Sequence, residues 1–217
     1  MHSSAHYRQL LTRLPQIAVA ADQFQILSSA KDFKSRILSL IAHATQRIYL
    51  IALYLQDDEA AREILTALYA AKQRSPSLDI KVFVDFHRAQ RGLIGKGKQG
   101  GNHLMYQAMA ASHQHQIEIY GVPVKGRELL GVLHLKGFII DNAVLYSGAS
   151  LNDVYLQRHD RYRLDRYHLI RSRALADCLA GVLDRTLRQS PAVHPLNTPS
   201  TPKTAEIRQD IIAFRRE

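Results

Sequence analysis

The sequence has one cysteine, no long apolar run and a shortage of acidic side chains, and each scarcity excludes a class of protein. A single cysteine, Cys178, excludes an internal disulfide and a cysteine-based zinc site. It also favours a reducing compartment, so a cytoplasmic location is expected. Cys178 lies beside an apolar helical stripe, which predicts a buried core thiol rather than a nucleophile.

No stretch of the sequence approaches the ~18 consecutive apolar residues that a membrane-spanning helix needs. The longest candidates, Ile48–Leu55 and Gly137–Ile140, have the length of strands. The first residues also lack the basic region and apolar run of a signal peptide. The sequence therefore predicts a protein that does not cross a membrane.

Acidic residues are outnumbered by basic ones: 29 Lys and Arg stand against 19 Asp and Glu, for a formal net charge of +10. This excess predicts an anionic partner, which could be nucleic acid, an anionic bilayer or a phosphorylated substrate, although a solvated basic face has the same composition. One basic loop is a candidate contact for a nucleotide or a lipid head group, through Arg88, Arg91, Lys96 and Lys98.

The order of the predicted elements indicates an α/β fold. Strands over 47–54 and 79–85 flank a helix over 59–74, and this order predicts a parallel pair with a crossover helix. Further strands are predicted over 117–120, 132–141, 144–147 and 166–171, and helices over 32–45, 102–113 and 172–188. The predicted core stripe of the last helix comprises Leu175, Leu179, Val182 and Leu183.

The chain divides into four segments by composition. A helical segment over 1–23 precedes an α/β domain over 24–189. Four prolines within 190–203 predict a linker. An amphipathic helix over 204–217 follows, with no predicted element for its apolar stripe to cover. We expect this helix to begin a missing second half or to form a dimer contact.

The chemistry is concentrated in one segment around His134 and Lys136. Alternate residues of a strand share a face, so these two side chains point the same way. An imidazole there can attack a phosphorus atom while the ammonium neutralises the phosphate oxygens. Asp141 falls on the opposite face, which predicts a structural hydrogen-bonding role at the turn.

The loop after the following strand is the second part of the predicted site. If the two strands pair as a hairpin, Gly148, Ser150 and Asn152 return beside the histidine and lysine and complete a phosphate cradle. His113 and His115 have no carboxylate or cysteine to complete a ligand set, so neither a metal nor another cofactor is predicted.

The spacing of these residues resembles the signature of the phospholipase D superfamily. The pattern H-x-K, four residues, D, six residues, G-x-x-x-N is matched from His134 to Asn152, with Ala149 where the superfamily usually has serine. From about Phe24 onward, longer strings such as Val84–Gly92 and Tyr146–Leu156 resemble the bacterial phosphatidylserine synthases of the phospholipase D type. The resemblance implies a mixed sheet flanked by helices, forming one half of a two-motif, pseudo-dimeric enzyme.

The resemblance also implies a reaction, in which the phosphatidyl group of CDP-diacylglycerol passes through a phosphohistidine to L-serine and CMP is released. It assigns catalysis to His134, Lys136 and Asp141 of the motif, with Asp165 orienting the nucleophilic imidazole. It assigns substrate phosphate binding to Lys136, Gly148, Ser150 and Asn152. Such an enzyme is expected to be cytoplasmic and peripheral at the inner face of the cytoplasmic membrane, attracted by anionic lipid.

One departure from the family pattern leaves alternatives open. Family members carry two H-x-K-D motifs, whereas this sequence has one. The missing motif could come from a second copy in a homodimer, from a separate second half, or from nowhere. A homodimeric single-motif phosphodiesterase or nuclease, for which the basic charge suits nucleic acid, and an inactive fragment that only binds lipid or a partner are the other interpretations.

Overall fold

The computed structural model describes residues 8–9, 11–91, 100–124, 132–159 and 162–215. Their centre is an eight-stranded sheet in the order β1-β7-β6-β5-β2-β3-β4-β8. The neighbours β2–β3 and β3–β4 are parallel, and the other pairs are antiparallel. The strands are β1 Phe24–Leu27, β2 Arg47–Ile51, β3 Asp79–Asp85, β4 Glu118–Val122, β5 Gly137–Ile140, β6 Ala143–Ser147, β7 Tyr167–Arg171 and β8 His194–Pro195.

Helices cover both faces of the sheet. They are α1 Ala30–His43, α2 Glu59–Arg74, α3 Phe86–Gln90, α4 His103–Ala111, α5 Arg173–Val182 and α6 Arg208–Phe214. A 3-10 turn over Ala21–Gln23 precedes β1, and α5 continues as a π-helical turn over Leu183–Arg188. The side chains of Ser29, Asp58 and Ser172 accept backbone N–H bonds at the starts of α1, α2 and α5, so each of these helices begins at a capping residue.

The alternation of side chains along β2 divides the core in two. Ile48 and Leu50 belong to a cluster that includes Phe33 of α1. Tyr49 and Ile51 belong to a cluster on the other face, which is covered by α5. A strand buried on both faces needs a continuous apolar run, and this is why 48–51 shows no polar alternation.

The predicted topology around the motif is confirmed. The strands β2 and β3 are parallel, with α2 as the crossover helix. The strands β5 and β6 form an antiparallel hairpin in which Ile140 pairs with Ala143. The turn contains Asp141 at a φ of 49°. An α/β fold with a mixed sheet flanked by helices is therefore present.

The predicted strand over 132–141 is shorter than expected. It begins at Gly137, which pairs with Ile51, the last residue of β2. Because β2 ends at Ile51, the residues before Gly137 have no strand partner there. Gly137 also has a φ of 147°, which only glycine adopts easily. His134 and Lys136 thus lie just before the strand rather than within it.

The predicted core stripe of α5 is wrong in part. Ala176, Ala180 and Leu183 are buried against the sheet, whereas Leu179 and Val182 are exposed. Cys178 is exposed as well, so the prediction of a core thiol is wrong. The small side chains of Ala176 and Ala180 let α5 pack close to the sheet. Helical periodicity alone does not show which side of the helix packs in this way.

The proline-rich segment packs against the sheet instead of acting as a spacer. Pro195 pairs with Tyr120 of β4 as part of β8. The buried side chain of Asn197 donates to the Ile117 carbonyl and accepts from the Ile119 N–H. A sheet edge with free hydrogen-bonding groups thus converts part of the expected linker into a strand.

The last helix is also docked. Ile207 and Ile211 are buried in the main core, so the expectation of an uncovered apolar stripe on α6 is wrong. At the other end of the chain, residues 1–7 and 10 lie outside the described residues, and Leu11 and Leu14 are exposed. In the ranges that the structure describes, no helix combines the length and apolarity needed to cross a bilayer.

Candidate active site

A cavity of about 390 Å³ lies where the β5–β6 hairpin opens. It brings together the side chains that the hairpin argument predicted, together with others from the segment after β2 and from the 152–163 region. The lining residues are Leu53, Tyr54, His134, Lys136, Gly148, Ser150, Asn152, Val154, Tyr155 and Arg163. The residues of the predicted phosphate cradle therefore line one cavity, and phosphate binding there stays a prediction.

His134 and Lys136 are in direct contact at this cavity. The Nζ of Lys136 lies 3.2 Å from Nε2 of His134. Because an ammonium can only donate, Nε2 is the acceptor in this contact, and its lone pair points to Lys136. Burial lowers the pKa of Lys136, and the charge of Asp165 opposes that shift. Among the described residues no carboxylate lies within ion-pair distance of Lys136, so its ammonium is available to an anion.

Asp85 holds the histidine segment in place, and sequence reasoning missed it. Its side chain is completely buried. One carboxylate oxygen accepts the Leu133 N–H at 2.8 Å, immediately before His134. The other accepts the N–H groups of His87 and Arg88 at 3.0 and 2.9 Å, at the start of α3. An aspartate that ends a buried strand and caps the next helix is the sequence signal that could have found it.

Asp85 also joins the histidine segment to the wall of the cavity. Its backbone N–H donates to the carbonyl of Leu53, a lining residue, at 3.0 Å. Burial raises the pKa of Asp85, and the N–H groups that bind its carboxylate oppose that shift. The carboxylate thus binds three N–H groups from two chain segments, and the backbone N–H of Asp85 joins a third segment, at the carboxyl end of the parallel strands.

The loop after β6 is anchored to the start of α2. Asp153 accepts the Ala60 N–H at 2.8 Å, and Asp58 accepts the Asp153 N–H at 3.1 Å. Leu151 forms a parallel bridge with Leu55. These bonds give Ser150 and Asn152, which lie within the anchored loop, fixed positions in the cavity.

The polar side chains of this loop present donors to the cavity. The amide oxygen of Asn152 accepts the Tyr155 N–H at 3.1 Å. The NH₂ group of Asn152 donates no hydrogen bond to any of the described residues, so its N–H groups are available to a ligand. The hydroxyl of Ser150 likewise has no partner in the described ranges. Both groups can donate to a phosphate oxygen.

Asp165 lies against Gly148 at the edge of the cavity. Its carboxylate accepts the N–H groups of Gly148 at 3.0 Å and of Arg166 at 2.7 Å. A Cβ at position 148 would meet the carboxylate at 2.9 Å, so this close approach requires glycine. No hydrogen bond between Asp165 and His134 is present in the described part of the chain. The orienting role implied by the resemblance therefore stays a prediction.

Asp141, which the resemblance places among the catalytic residues, does not line the cavity. Its carboxylate accepts N–H bonds from Thr45, Gln46 and Arg47 at 3.0, 2.8 and 3.1 Å and the Thr45 hydroxyl at 3.2 Å. Burial acts to raise its pKa, but these donors outweigh burial and lower it. Its position fits the structural role that side-chain alternation predicted, because it joins the hairpin turn to the loop before β2.

The predicted basic loop contributes only in part. The Arg88 guanidinium lies over the ring of Tyr54, 4.8 Å from its centre, and Tyr54 lines the cavity. Arg91 follows α3 and is exposed. Lys96 and Lys98 lie outside the described residues.

Arg163 is the cation that sequence reasoning overlooked as a site residue. It lines the cavity together with Tyr155. Its guanidinium donates to the Tyr155 hydroxyl at 3.3 Å and lies 5.5 Å from the centre of that ring. Its position in an arginine-rich run concealed it, because charge alone does not distinguish a solvated arginine from one that lines a site.

Comparisons with known proteins show the family and the fold of the chain. A family model described as "Cardiolipin synthase, PLD-like domain" matches residues 37–153. The chain is 47% identical over 212 residues to CDP-diacylglycerol–serine O-phosphatidyltransferase of Escherichia coli (strain K12), a match that covers 97% of this chain and 47% of that protein.

Solved structures extend the comparison. The crystal structure of phosphatidylserine synthase from Haemophilus influenzae Rd KW20 superimposes with a TM-score of 0.92 at 43% identity, over 98% of this chain and 47% of that one. NucT from Helicobacter pylori shares the fold, with a TM-score of 0.54 at 12% identity, over 75% of this chain and 92% of that one. The chain spans about half the length of the synthases that it matches.

Proposed function

The chain belongs to the phospholipase D-like family, and on that premise we propose that it supplies one catalytic motif for phosphatidyl transfer from CDP-diacylglycerol to L-serine. The carrying observation is the contact between His134 and Lys136 in a cavity that also holds the donors of Ser150 and Asn152. The 47% identity to a CDP-diacylglycerol–serine O-phosphatidyltransferase supports the choice of substrates.

The proposed first step uses the lone pair on Nε2 of His134, which becomes available when the Lys136 ammonium turns from it to the phosphate oxygens. Nε2 attacks the phosphatidyl phosphorus, the P–O bond to CMP breaks, and CMP leaves with that electron pair. Lys136 neutralises the phosphate oxygens, and the donors of Ser150 and Asn152 bind them as negative charge develops. The intermediate is a phosphatidyl group bonded to Nε2.

The second step transfers the phosphatidyl group to serine. The serine hydroxyl oxygen attacks phosphorus, the P–N bond breaks, and its electron pair returns to the imidazole of His134. The hydroxyl proton passes to a general base, which we assign to the histidine of a second motif. On the proposed route, the charge of Asp165 stabilises the positive charge that the His134 ring carries in the intermediate, without a hydrogen bond in the free state.

The second motif is proposed to come from a second copy of this chain or from a separate second half. The sequence has a single H-x-K motif, whereas the two-step reaction needs a base in addition to the nucleophile. This difference supports a second motif from elsewhere. Sedimentation equilibrium of the chain, alone and with substrate, distinguishes the two sources. A dimer that forms with substrate favours the second copy, and a persistent monomer favours a separate half.

We also propose that the cavity mouth contacts an anionic membrane surface. The apolar side chains of Leu135, Val154 and Leu164 are exposed close to the site residues. Leu135 precedes Lys136 and Leu164 follows Arg163, in a chain of net charge +10. Exposed apolar side chains next to cations suit the interface of an anionic bilayer. Replacing Leu135 and Leu164 by serine is expected to weaken cosedimentation with anionic vesicles about tenfold.

The reaction is tested by CMP release from CDP-diacylglycerol in detergent micelles, with and without L-serine. Serine-dependent release that His134→Ala abolishes is the expected result. The exposed His43 on α1 gives the matched control, since His43→Ala also removes one imidazole and lies outside the cavity. Cleavage of DNA or of bis-p-nitrophenyl phosphate without serine-dependent CMP release would contradict the proposal and favour the dimeric phosphodiesterase.

A further inference from the structure

Two cationic side chains among the described residues line the candidate site, and attack on a single phosphate accounts for only one of them. Lys136 lies beside the nucleophile, where it can neutralise the phosphate under attack. Arg163 lines the same cavity from the segment that follows the 152–159 turn. A phosphodiester carries one negative charge, so one cation balances it, whereas a diester of diphosphoric acid carries two.

Arg163 is held in position for a ligand. Its backbone N–H donates to the Val154 carbonyl at 3.3 Å, and its guanidinium donates to the Tyr155 hydroxyl. In the described ranges it has no carboxylate partner. Arg158, five residues earlier, differs, because its guanidinium is engaged by Glu59 and Glu63 at 2.9 and 3.1 Å. A guanidinium that uses one of its five donors on a phenol keeps a planar fork for an oxyanion.

We propose that Arg163 binds the second phosphate of a diphosphate donor, the phosphate that departs with the leaving group, and so selects diphosphate diesters over simple phosphodiesters. This inference rests on the proposed function and names the cation that binds the departing phosphate of the CDP-diacylglycerol donor. When the P–O bond between the two phosphorus atoms breaks, the bridging oxygen keeps the electron pair and the departing phosphate gains a negative charge. Arg163 stabilises that charge, as Lys136 stabilises the oxygens of the phosphate under attack.

The test compares two soluble lipids that differ in the number of phosphates. Calorimetric titration of the His134→Ala chain, which cannot react, measures binding of dioctanoyl CDP-diacylglycerol and of dioctanoyl phosphatidylglycerol. Adding Arg163→Met is expected to weaken the first by about 10- to 100-fold and the second by less than about twofold. Arg163→Lys keeps the charge without the fork and is expected to show an intermediate loss.

Arg158→Met is the matched control, because it removes the same charge from the same region outside the cavity lining. It is expected to change neither affinity by more than about twofold. If the His134→Ala chain binds the CDP-lipid but Arg163→Met weakens the affinity for both lipids equally, or for neither, the assignment of Arg163 is overturned. The proposed function is not affected by that result. Failure of the parent chain to bind the CDP-lipid would overturn the proposed function, and the Arg163 assignment with it.

Discussion

Two lysines at opposite ends of the sheet show how the fold gives one residue type different tasks. Lys81, near the start of β3, is buried and pairs with Asp79 and with Asp184, the latter at 3.6 Å. It also donates to the Tyr49 hydroxyl at 2.6 Å. Lys136 contacts the imidazole of His134 in an open cavity. Lys81 is neutralised by carboxylates of the fold. Lys136 has no such ion pair among the described residues, so an anionic ligand can neutralise it.

The surroundings of each lysine follow from this difference. Burial, then the bond to Asp79, raise the pKa of Tyr49, so the phenol stays protonated and shares the two carboxylates with Lys81. At the other end, burial lowers the pKa of Lys136, and the charge of Asp165 offsets only part of the lost hydration. The ion pairs of Lys81 thus stabilise one end of the sheet. At the other end, the ammonium of Lys136 can bind an anion.

The largest effect is expected from Lys136→Met. Loss of the ammonium is expected to reduce CMP release by about 10²- to 10³-fold, because negative charge on the phosphate is no longer neutralised. The free energy of unfolding is expected to change by less than about 0.5 kcal/mol, since the ammonium has no ion-pair partner among the described residues. Activity and urea denaturation measured on the same preparation check both parts. A large loss of stability would show that Lys136 is structural after all.

Lys81→Met is expected to have the opposite pattern. It leaves Asp79 and Asp184 close together without a cation and is expected to lower the free energy of unfolding by about 2–3 kcal/mol, a value reduced by their partial exposure. Binding of CDP-lipid to the folded fraction should be retained. Urea denaturation gives the stability and calorimetric titration the affinity. A weaker affinity with unchanged stability would reverse the comparison.

A smaller stability effect is expected from Asp141→Asn, which replaces one oxygen of a carboxylate that accepts four hydrogen bonds. We expect a loss of about 1–2 kcal/mol at neutral pH. Because folding lowers the pKa of Asp141, its contribution is complete above the unfolded value of about 3.9 and is lost as the pH falls through the folded value. The difference in the free energy of unfolding between the two proteins should therefore narrow as the pH falls from 7 to 3. A constant difference would contradict the assignment.

The smallest effect is a shift in pH dependence. Since the pKa of Lys136 is lowered, affinity for the CDP-lipid should begin to fall at a lower pH than the ordinary lysine value of about 10.4 would give. Titrations between pH 7 and 10.5 measure this decline in the His134→Ala chain. Lys136→Arg, whose guanidinium stays charged, should remove it. An identical decline in both proteins would assign the titration to another group.

Several features of the fold were predictable because they depend on local sequence alone. The helix Glu59–Arg74 follows the capping residue Asp58, and both its ends match the prediction. The strand Asp79–Asp85 also has the predicted bounds. The spacing from His134 to Asn152 predicted the hairpin and the residues that share the cavity, because two strands and a short turn allow few arrangements.

Other features depended on contacts between distant parts of the chain. The strand over 132–141 is shortened by the end of its partner β2, and α5 turns its alanine side to the sheet, which exposes Cys178. Asp85 became a site residue only when Leu133 was folded against it, 48 positions along the chain. Nothing in the local pattern could assign these partners.

The sequence by itself thus determined the helices and strands around the motif, their order and the candidate pair His134 and Lys136, because periodicity, capping and motif spacing operate over a few residues. Tertiary structure alone decided which charges meet a countercharge. Lys81 and Arg158 find carboxylates, while Lys136 and Arg163 face a cavity. The physical reason is that the electrostatic free energy of a side chain depends on what the whole fold places within a few ångströms of it.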